Sequence, residues 1–465
     1  MYNVTQEIKD LFNSKGSIKR GYLSIVPLSN EESEIIDESK IKSFEILDDI
    51  YTPKSGIIGS VIAKQLTINF YQNTSILDRE IDVYIGVENT EGIPTYLPYG
   101  RYIVQRPETN ELTESCSAEA LDYMVKFNLP FEDTLTYPCT LKDLLKAICE
   151  QCGVELGTFN FINEGFSIEN NQFVNGESCR EVLMAIAQLA GSFARIGRDN
   201  KLYLTFQNET SETFDESQYG DDIKINSTFG PCNRVVLRMS QVEGENVTLQ
   251  DDEDIAKNGV KEIVIADNPF TYTQEKREQA ITAIYNQLKG YTFVDFSFTA
   301  RKTKPYLDVG DTFIIIDKNG NSIKTQLYTN NLVFNGGLKA KMSAETLTNS
   351  ETKYAFTPKL QSALKRTEII VDKQNQSISQ IVQQVEGQNE AIAKQEIKID
   401  NIETAVSKTT TYRNEVSAYT QVYIDDSKGG NILKLTIRGS KVYSSNLFPG
   451  INIYPSSTLQ PNSRR

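Results

Sequence analysis

A repeat of seven residues between Leu364 and Val406 constrains the fold of this chain more than any other feature. Apolar residues recur at every seventh position, and a second series follows three residues after the first. The apolar members of the two series are Leu364, Val371, Ile378, Ile381, Val385, Ile392, Ile399, Ile402 and Val406. A strict period of seven drifts against a straight helix unless several helices supercoil with a left-handed twist. The repeat therefore predicts a coiled coil over residues 358–410.

The residue types of the repeat predict a parallel trimer. β-Branched residues fill most of the first series, and the second contains isoleucine but no leucine. Parallel dimers favour β-branched residues in one series with leucine in the other, whereas isoleucine in both favours higher orders. Gln374, Gln388 and Gln395 fit polar layers that fix the register at a cost in stability. The alternative is a single amphipathic helix packed on its own chain, but such a helix usually has a wider apolar stripe.

Composition narrows the class of protein. A chain of 465 residues is too long for one core, so we expect three or more domains. The formal charge of −14 and the lack of a clustered basic face argue against sequence-specific nucleic-acid binding. The N-terminus has no long apolar run, and no stretch approaches the roughly 20 apolar residues of a membrane helix, so we expect no signal peptide and no membrane segment. The six cysteines are then expected to be reduced core thiols.

Histidine is absent from the sequence. Its absence excludes Ser-His-Asp and Cys-His nucleophiles, zinc proteases with two histidine ligands and most catalytic zinc sites. An enzyme built from this chain would have to rely on carboxylates, lysine or tyrosine. We therefore predict no catalytic residue, no cofactor and no metal ion.

The pattern of strands and helices predicts an α+β protein that is mainly β. Residues 1–120 predict an N-terminal helix at 4–14 and a first β-barrel, with a turn at 92–100. Residues 121–215 predict an α+β module, and 216–350 a second β-barrel. The parallel trimeric coiled coil at 358–410 follows. A short β segment and a Pro/Ser-rich linker at 411–465 end the series.

Three helices carry clear end signals. The helix in 137–153 has Thr140 as its predicted N-cap and Gly153 as its C-cap, and the helix in 177–196 has Ser178 as its N-cap. A third, at 274–290, is closed by Gly290. Between the last two, the dipeptide at 199–200 predicts the turn of a hairpin.

Three groups of residues resemble reactive sites. Cys149 and Cys152 form a C-x-x-C pair, but at a helix C-terminus, where the dipole opposes a reactive thiolate, so core packing is favoured over a metal or redox role. Asp308 and Asp311 favour a turn before a strand over a pair of hydrolytic carboxylates. The acidic run 251–254 lacks calcium-loop spacing and favours a solvated loop.

Tyrosine is abundant in the chain, with 23 residues and no tryptophan. Tyrosines scattered on strands are usual half-buried residues. They are also common on surfaces that contact carbohydrate or another subunit, and the sequence leaves these alternatives open. The most exposed group is expected beyond the coiled coil, at Tyr412, Tyr419, Tyr423, Tyr443 and Tyr454.

The order of these phrases resembles a known family. A β-domain precedes ALDYMVKFNLPFEDTLTYPCTLKDLLKAICEQCGV and REVLMAIAQLAGSFARIGRDNKLYL, a second β-domain contains YLDVGDTFIII and FNGGLKAKMSA, and a Gln/Ile coiled coil follows. Over residues 1–408 this series resembles the N-terminal hub region of siphophage tail-tip and tail-associated lysin proteins. That family is similar in turn to the trimeric baseplate hub of contractile-tail phages.

The resemblance implies a virion protein of the tail tip that is assembled in the cytoplasm of a bacterial host. It implies a homotrimer whose β-domains adapt a sixfold tail tube and distal tail protein to a threefold tip, with the tape measure protein as a possible partner. Distal domains would contact the host cell wall. Two alternatives remain: a tail-associated peptidoglycan hydrolase, or its N-terminal part, and a receptor-binding tail protein. Lysin-bearing members continue beyond the point that corresponds to residue 465, which weighs against hydrolysis here.

Overall fold

The computed structural model describes residues 1–14, 16–27, 34–50, 57–71, 76, 79–110, 113–173, 176–239 and 246–344. It also describes short strands at 351–355, 378–384, 391–397, 420–425, 432–437 and 452–455. The chain divides into two compact units, Met1–Ala363 and Leu364–Arg465. Among the described residues, no helix has the length and apolar character needed to cross a membrane.

The first segment contains one short helix and seven strands. These are α1 (Gln6–Asn13), β1 (Lys19–Ile25), β2 (Glu34–Ile36), β3 (Ile41–Asp49), β4 (Gln65–Phe70), β5 (Glu80–Glu88), β6 (Pro94–Asn110) and β7 (Ser115–Asp122). The turn predicted at 92–100 is wrong, because β6 begins at Pro94 and runs through this stretch. Proline is tolerated at the start of a strand and beside a bulge, and Pro98 lies next to a register shift in the β5–β6 pairing.

The middle segment contains the elements predicted for the α+β module. They are a 3₁₀ helix (Tyr123–Asn128), β8 (Cys139–Thr140), α2 (Leu141–Cys152), β9 (Ser167–Ile168), α3 (Cys179–Leu189), β10 (Phe193–Ile196), β11 (Leu202–Thr205) and β12 (Thr213–Phe214). Thr140 and Ser178 cap α2 and α3, each in a capping box with the acid three residues later. Gly153 ends α2 in the left-handed conformation with a φ of 61°. All three cap predictions are confirmed.

The third segment mixes strands with two helices. Its elements are β13 (Lys224–Phe229), β14 (Arg234–Arg238), β15 (Val247–Gln250), α4 (Asp252–Asn258), β16 (Glu262–Ala266), a 3₁₀ helix (Pro269–Thr271), α5 (Gln274–Leu288), β17 (Phe293–Ala300), β18 (Thr312–Ile316), β19 (Ser322–Gln326), β20 (Thr329–Phe334), β21 (Leu338–Ala344) and β22 (Glu351–Ala355). Helix α5 ends just before Gly290, whose φ is 77°.

The prediction of two barrels is wrong. Strands of the first and third segments form one open antiparallel sheet of 11 strands, in the order β13-β17-β21-β20-β3-β4-β7-β6-β5-β1-β2. Strands β20 and β3 join its two halves, with Thr329 opposite Asp49 and Phe334 opposite Phe44. No sheet among the described residues closes on itself. The alternation of residues fixes which face of a strand is buried but does not fix which strand lies beside it.

The third segment also contains a mixed sheet, which the barrel prediction did not include. Its order is β15-β14-β16-β22, and β14, β16 and β22 are parallel. Parallel strands are usually buried on both faces, and β16 fits this, because Ile263, Val264, Ile265 and Ala266 are each at most 2% exposed. Helix α5 packs against β14 and β15. A further sheet, β12-β18-β19, pairs a strand of the middle segment with two of the third.

Helix α3 lies at the centre of the first compact unit. Nine of its residues are buried, including the polar Glu181 and Gln188. A helix that is apolar on nearly all sides must be surrounded by other elements. The hydrophobic core is continuous through all three segments, so residues 1–120, 121–215 and 216–350 are stretches of sequence within one compact unit.

The second unit is described only as strands. An antiparallel pair is formed by β23 (Ile378–Gln384) and β24 (Ala391–Ile397), and a three-stranded sheet by β25 (Thr420–Asp425), β26 (Ile432–Ile437) and β27 (Asn452–Pro455). Strands β25 and β26 lie in the stretch predicted as a β segment, whereas β27 lies in the stretch predicted as a linker.

Candidate functional site: a buried ion-pair cluster

Asp308 and Asp311 lie in a tight turn, as predicted. The backbone N–H of Asp311 donates to the carbonyl of Asp308 (3.1 Å), and that of Asp308 donates to Asp311 Oδ2 (2.8 Å). Gly310 adopts a φ of 89° within the turn. Their burial was not predicted, however: the side chain of Asp311 is fully buried and that of Asp308 is 13% exposed.

Two arginines of the middle segment bind this turn. The Nε of Arg198 lies 2.9 Å from Asp308 Oδ1, and a terminal nitrogen of Arg195 lies 3.4 Å from the same atom. Arg198 also donates to the carbonyl of Pro305 (2.6 Å), and Arg195 to that of Val309 (3.0 Å). Arg195 lies on β10 and Arg198 just after it, so one hairpin supplies both cations.

The same hairpin contacts the first segment. Arg195 lies 3.8 Å from Asp48 on β3, and Lys64 lies 3.7 Å from the same carboxylate. The guanidinium of Arg198 lies 4.1 Å from the ring centre of Tyr99 on β6. The hairpin turn is also anchored, because Asn200 Oδ1 accepts a hydrogen bond from the backbone N–H of Arg101 (2.8 Å). The arginines therefore join all three segments of the first unit.

The charges of the cluster are mutually stabilised. Burial raises the pKa of Asp308, but the guanidinium groups of Arg198 and Arg195 outweigh this and hold that pKa well below its usual range. Burial raises the pKa of Asp311, although the ammonium group of Met1, 2.5 Å from Asp311 Oδ1, opposes the shift. Removing one member would leave its partner charged in a dry site, which is strongly destabilising.

Asp122, at the end of β7, adds a buried carboxyl beside Lys64. Its Oδ1 accepts from the backbone N–H of Met124 and caps the 3₁₀ helix (3.1 Å). Burial raises its pKa to about 6, against the opposing charge of Lys64.

A second ionic group fastens the N-terminal helix. Glu212 accepts from Lys9 on α1 and from Lys304, each at 2.8 Å, and from the hydroxyl of Tyr306 (3.1 Å). Phe12 of α1 is 1% exposed and lies edge-on to the Tyr306 ring at 6.5 Å. Burial raises the pKa of Glu212, but the bonds from Lys304 and Lys9 outweigh it and leave the pKa lowered.

The chemistry of these groups is structural. Each carboxylate of the cluster contacts a cation or an N–H group, and the acids are almost entirely removed from solvent. Hydrolysis of a glycoside needs two carboxyl groups on either side of a cleft, one of them able to give up a proton to the substrate. Asp308 and Asp311 do not meet this requirement, because the first is held charged by arginine and the second is buried. The cluster fastens chain segments together.

All six cysteines are buried and unbridged. Cys149 and Cys152 lie in the last turn of α2, as predicted, and burial raises the pKa of the Cys149 thiol to about 12, with the nearby Cys179 adding to the shift. A thiol with such a pKa stays protonated and unreactive near neutrality. The described residues contain no group of three or more Cys, Asp or Glu side chains suited to a metal ion.

The acidic run at 251–254 forms the start of a helix. Asp251 caps α4 through the backbone N–H of Asp254 (3.0 Å) and pairs with Lys289 (2.7 Å), while Asp254 accepts from Asn233 (2.8 Å). The loop predicted here is wrong. Acids at a helix N-terminus are stabilised by the free N–H groups and the helix dipole.

The predicted coiled-coil positions are described only in part. Ile378 and Ile381 lie on β23 and Ile392 on β24, where a helix was predicted. In a single chain no partner helix covers the seam, so the coiled coil stays a prediction for the oligomer. The other positions lie outside the described residues: Leu364, Val371, Val385, Ile399, Ile402 and Val406.

No family model and no curated protein matches the chain. Several solved structures do. The 43 kDa tail protein of prophage MuSo2 from Shewanella oneidensis has 13% identity and a TM-score of 0.47, over 70% of this chain and 97% of that one. A tail protein from Neisseria meningitidis MC58 has 13% identity and a TM-score of 0.46, over 70% and 95%. Prophage tail protein gp18 from Listeria monocytogenes EGD-e has 10% identity and a TM-score of 0.44, over 76% and 99%. Likeness at this level does not decide function.

Proposed function

We propose that this chain is a structural protein of a phage tail tip. It would form a homotrimeric hub that closes the tail tube, adapts a sixfold tail to a threefold tip and carries the distal fibre or tip. The observation that carries the proposal is where the seven-residue repeat begins. The first compact unit ends at Ala363, and the repeat starts at Leu364. We call Met1–Ala363 the head and the predicted coiled coil that follows it in sequence the stalk. A compact head followed by an oligomerising stalk is the arrangement that a threefold connector requires.

The predicted coiled coil would be long. At about 1.5 Å per residue, a helix from Leu364 to Val406 would be roughly 65 Å long. Gly387 falls outside the two seam series of the repeat and would cost about 1 kcal/mol in each predicted helix, so we propose it as a weak point or bend of the stalk.

The ion pairs in the interior of the head support a role in transmitting force. Arg195 and Arg198 fasten a hairpin of the middle segment to Asp48 of the first segment and Asp308 of the third. Glu212 binds both α1 and Lys304. A hub that transmits force between a tube and a fibre needs its segments held as one body, and buried paired charges resist separation because each would be left unpaired.

The proposed partners are two further copies of the chain, the distal tail protein and the tail tube, with the tape measure protein as a possible third. The protein would be located at the tail tip of the virion, and its distal part would meet the host cell wall. The role is non-catalytic. It is supported by the absence of histidine and by the paired, buried state of Asp308 and Asp311.

Labelling of intact virions tests the location. Gold-labelled antibodies raised against the full chain should bind at the tail end distal to the capsid, in electron micrographs of negatively stained phage. Antibodies that bind along the tail tube or on the capsid would contradict the proposal. Clearing of host cell walls by the purified full chain would favour the hydrolase alternative.

A further inference from the structure

The solvent-facing side of β1, β5 and β6 carries an ordered group of tyrosines. In the register of these strands Tyr22 lies opposite Tyr84, and Tyr84 lies opposite Pro98. Arg20 lies opposite Gly86, which lies opposite Tyr96. The three tyrosines are half-buried, whereas their strand neighbours such as Leu23 and Ile85 are fully buried on the other face. Three aromatic rings thus meet on one outer face.

Gly86 allows Tyr96 to lie against the sheet. A Cβ atom at Gly86 would lie 2.6 Å from Cδ1 and 2.8 Å from Cε1 of Tyr96, distances that no side chain tolerates. The Tyr96 ring therefore covers the backbone of β5. Tyr22 stands edge-on to it, with ring centres 4.7 Å apart and an interplanar angle of 83°. Tyr22 in turn stacks on Tyr84 at 4.4 Å and 11°. We call this arrangement the tyrosine notch: Tyr96 is its floor, and the Tyr22–Tyr84 stack is its wall.

The hydroxyl groups of the notch are available to a ligand. Within the described part of the chain, the hydroxyls of Tyr22, Tyr84 and Tyr96 make no hydrogen bond, whereas those of Tyr102 and Tyr123 each have a partner. Burial raises the pKa of Tyr22, and the neighbouring Tyr84, Tyr96 and Asp82 add to the shift. The hydroxyl of Tyr22 therefore remains protonated and can both donate and accept a hydrogen bond.

Fixed ion pairs flank the notch. Arg101 binds Asp82 through two parallel contacts, Nε to Oδ1 at 2.7 Å and a terminal nitrogen to Oδ2 at 2.8 Å. Arg20 binds Glu88, with Nε 2.6 Å from Oε1, and also pairs with Glu38. Both arginines are already neutralised by carboxylates, so the described residues of this face leave no free cation for a phosphate or other anion. It favours an uncharged ligand with many hydroxyl groups.

The size of the face favours a small ligand over a protein. From Ser24 to Arg20 and from β1 to β6 it measures roughly 14 Å by 10 Å, from the usual spacings along and between strands. A stable protein interface buries about 800 Å² on each partner. We therefore propose that the tyrosine notch binds a neutral saccharide, with a sugar ring on Tyr96 and its hydroxyl groups bonded to Tyr22, Tyr84 and the flanking ion pairs. The inference does not depend on the trimer.

Binding of defined sugars to the full chain tests the proposal. The probes are trisaccharides that end in glucose, galactose or N-acetylglucosamine, and the readouts are saturation-transfer NMR and titration calorimetry. Tyr96→Ala removes the floor and should weaken binding at least about tenfold, since an aromatic contact contributes this much. Tyr22→Phe keeps the ring but loses the hydroxyl, and should weaken binding roughly three- to tenfold. Tyr71→Ala removes a tyrosine elsewhere that is 52% exposed and should have no effect.

Gly86→Val provides an independent test of the geometry, because its new side chain must displace the Tyr96 ring. The variant should abolish saccharide binding and still show a cooperative thermal unfolding transition. If it fails to fold, Tyr96→Ala and Tyr22→Phe decide the question. Saccharide binding that is unchanged in both of those variants, or lost equally in Tyr71→Ala, would overturn the proposal. So would a full chain that binds none of the sugars. A loss of oligomeric mass in Tyr96→Ala would instead identify the face as a contact between copies.

Discussion

Replacing Arg198 with methionine tests whether the ion-pair cluster fastens the head. Methionine retains much of the length of the side chain and its packing beside Tyr99, but it has no charge and no donors. Asp308 would lose its 2.9 Å partner, and the carbonyl of Pro305 would lose a 2.6 Å bond. Arg195 would remain near Asp308 at 3.4 Å.

The expected cost of Arg198→Met is about 3–5 kcal/mol, which is typical when one member of a buried ion pair is removed. For a unit that spans Met1–Ala363, this corresponds to a fall in Tm of roughly 4–7 °C. Arg198→Lys is the matched control. It keeps the charge but not the planar fork, so its cost should be smaller. Chemical denaturation followed by circular dichroism measures both.

The pairing itself is tested by a double-mutant cycle. Asp308→Asn alone should also destabilise, because Arg198 loses its carboxylate partner and Arg195 keeps only Asp48, at 3.8 Å. The double variant Arg198→Met, Asp308→Asn should be more stable than the sum of the single losses predicts, by at least about 1 kcal/mol. Strictly additive losses, or a cost below about 1 kcal/mol for Arg198→Met, would refute the reasoning.

The pH dependence of the free energy of unfolding tests the same interaction between Arg198 and Asp308. The pKa of Asp308 lies below its ordinary value of 3.8 in the folded chain, so its ionised form is favoured by folding. Its stabilisation is present above pH 3.8 and is lost as the pH falls through the lower folded-state value. The difference in stability between the native chain and Arg198→Met should therefore shrink below about pH 4. A difference that stays constant down to pH 3 would mean that Arg198 acts through packing alone.

Two further substitutions test local features of the head. Asp122→Asn removes a buried charge but keeps the acceptor for Met124. Because burial raises the pKa of Asp122 to about 6, the variant should be more stable than the native chain above pH 6, by about 2 kcal/mol or less. This gain should vanish near pH 4, which thermal unfolding across the pH range measures. A gain that persists at pH 4 would exclude ionisation as its cause. Ser178→Ala should cost more than Thr140→Ala, about 2 against about 1 kcal/mol. Both variants lose a hydroxyl hydrogen bond to the acid of the capping box, but only the pair of Ser178 and Glu181 is buried. Equal costs would show that burial adds nothing to the cap.

Local features of this chain could be predicted from its sequence. The caps Thr140, Ser178 and Gly153 act on the first or last turn of their own helices, so a few residues contain all the information that is needed. The hairpin turn at Asn200, with a φ of 64°, and the turn from Asp308 to Asp311 are local in the same way.

The choice of neighbouring strands was not predictable from pattern. Strand alternation in β3 and β20 indicates a buried face, but the same alternation would suit two separate barrels or one long sheet. The carboxylate partner of Arg198 could not be predicted either, because Asp308 lies 110 residues away in the chain. The one available signal was Arg195 in the otherwise apolar strand Phe193–Ile196, since buried arginine requires a carboxylate partner.

The tyrosine notch also depends on register. The sequence predicts strands at Tyr22 and Tyr84, but it assigned Tyr96 to a turn at 92–100, and it does not place the three residues side by side. Gly86 alone gave no indication that a ring would cover it. Once β1, β5 and β6 are paired, the absent side chain at Gly86 and the ring of Tyr96 explain each other.

The mass of the full chain in solution tests the central claim most directly. Light scattering coupled to size exclusion should give three times the mass of one chain. Ile392→Asp, which places a charge in the predicted seam, should reduce this to one chain, whereas Ala393→Asp, at the adjacent position outside the predicted seam, should leave the trimer intact. A native chain with the mass of one copy, or a trimer that survives Ile392→Asp, would contradict the account.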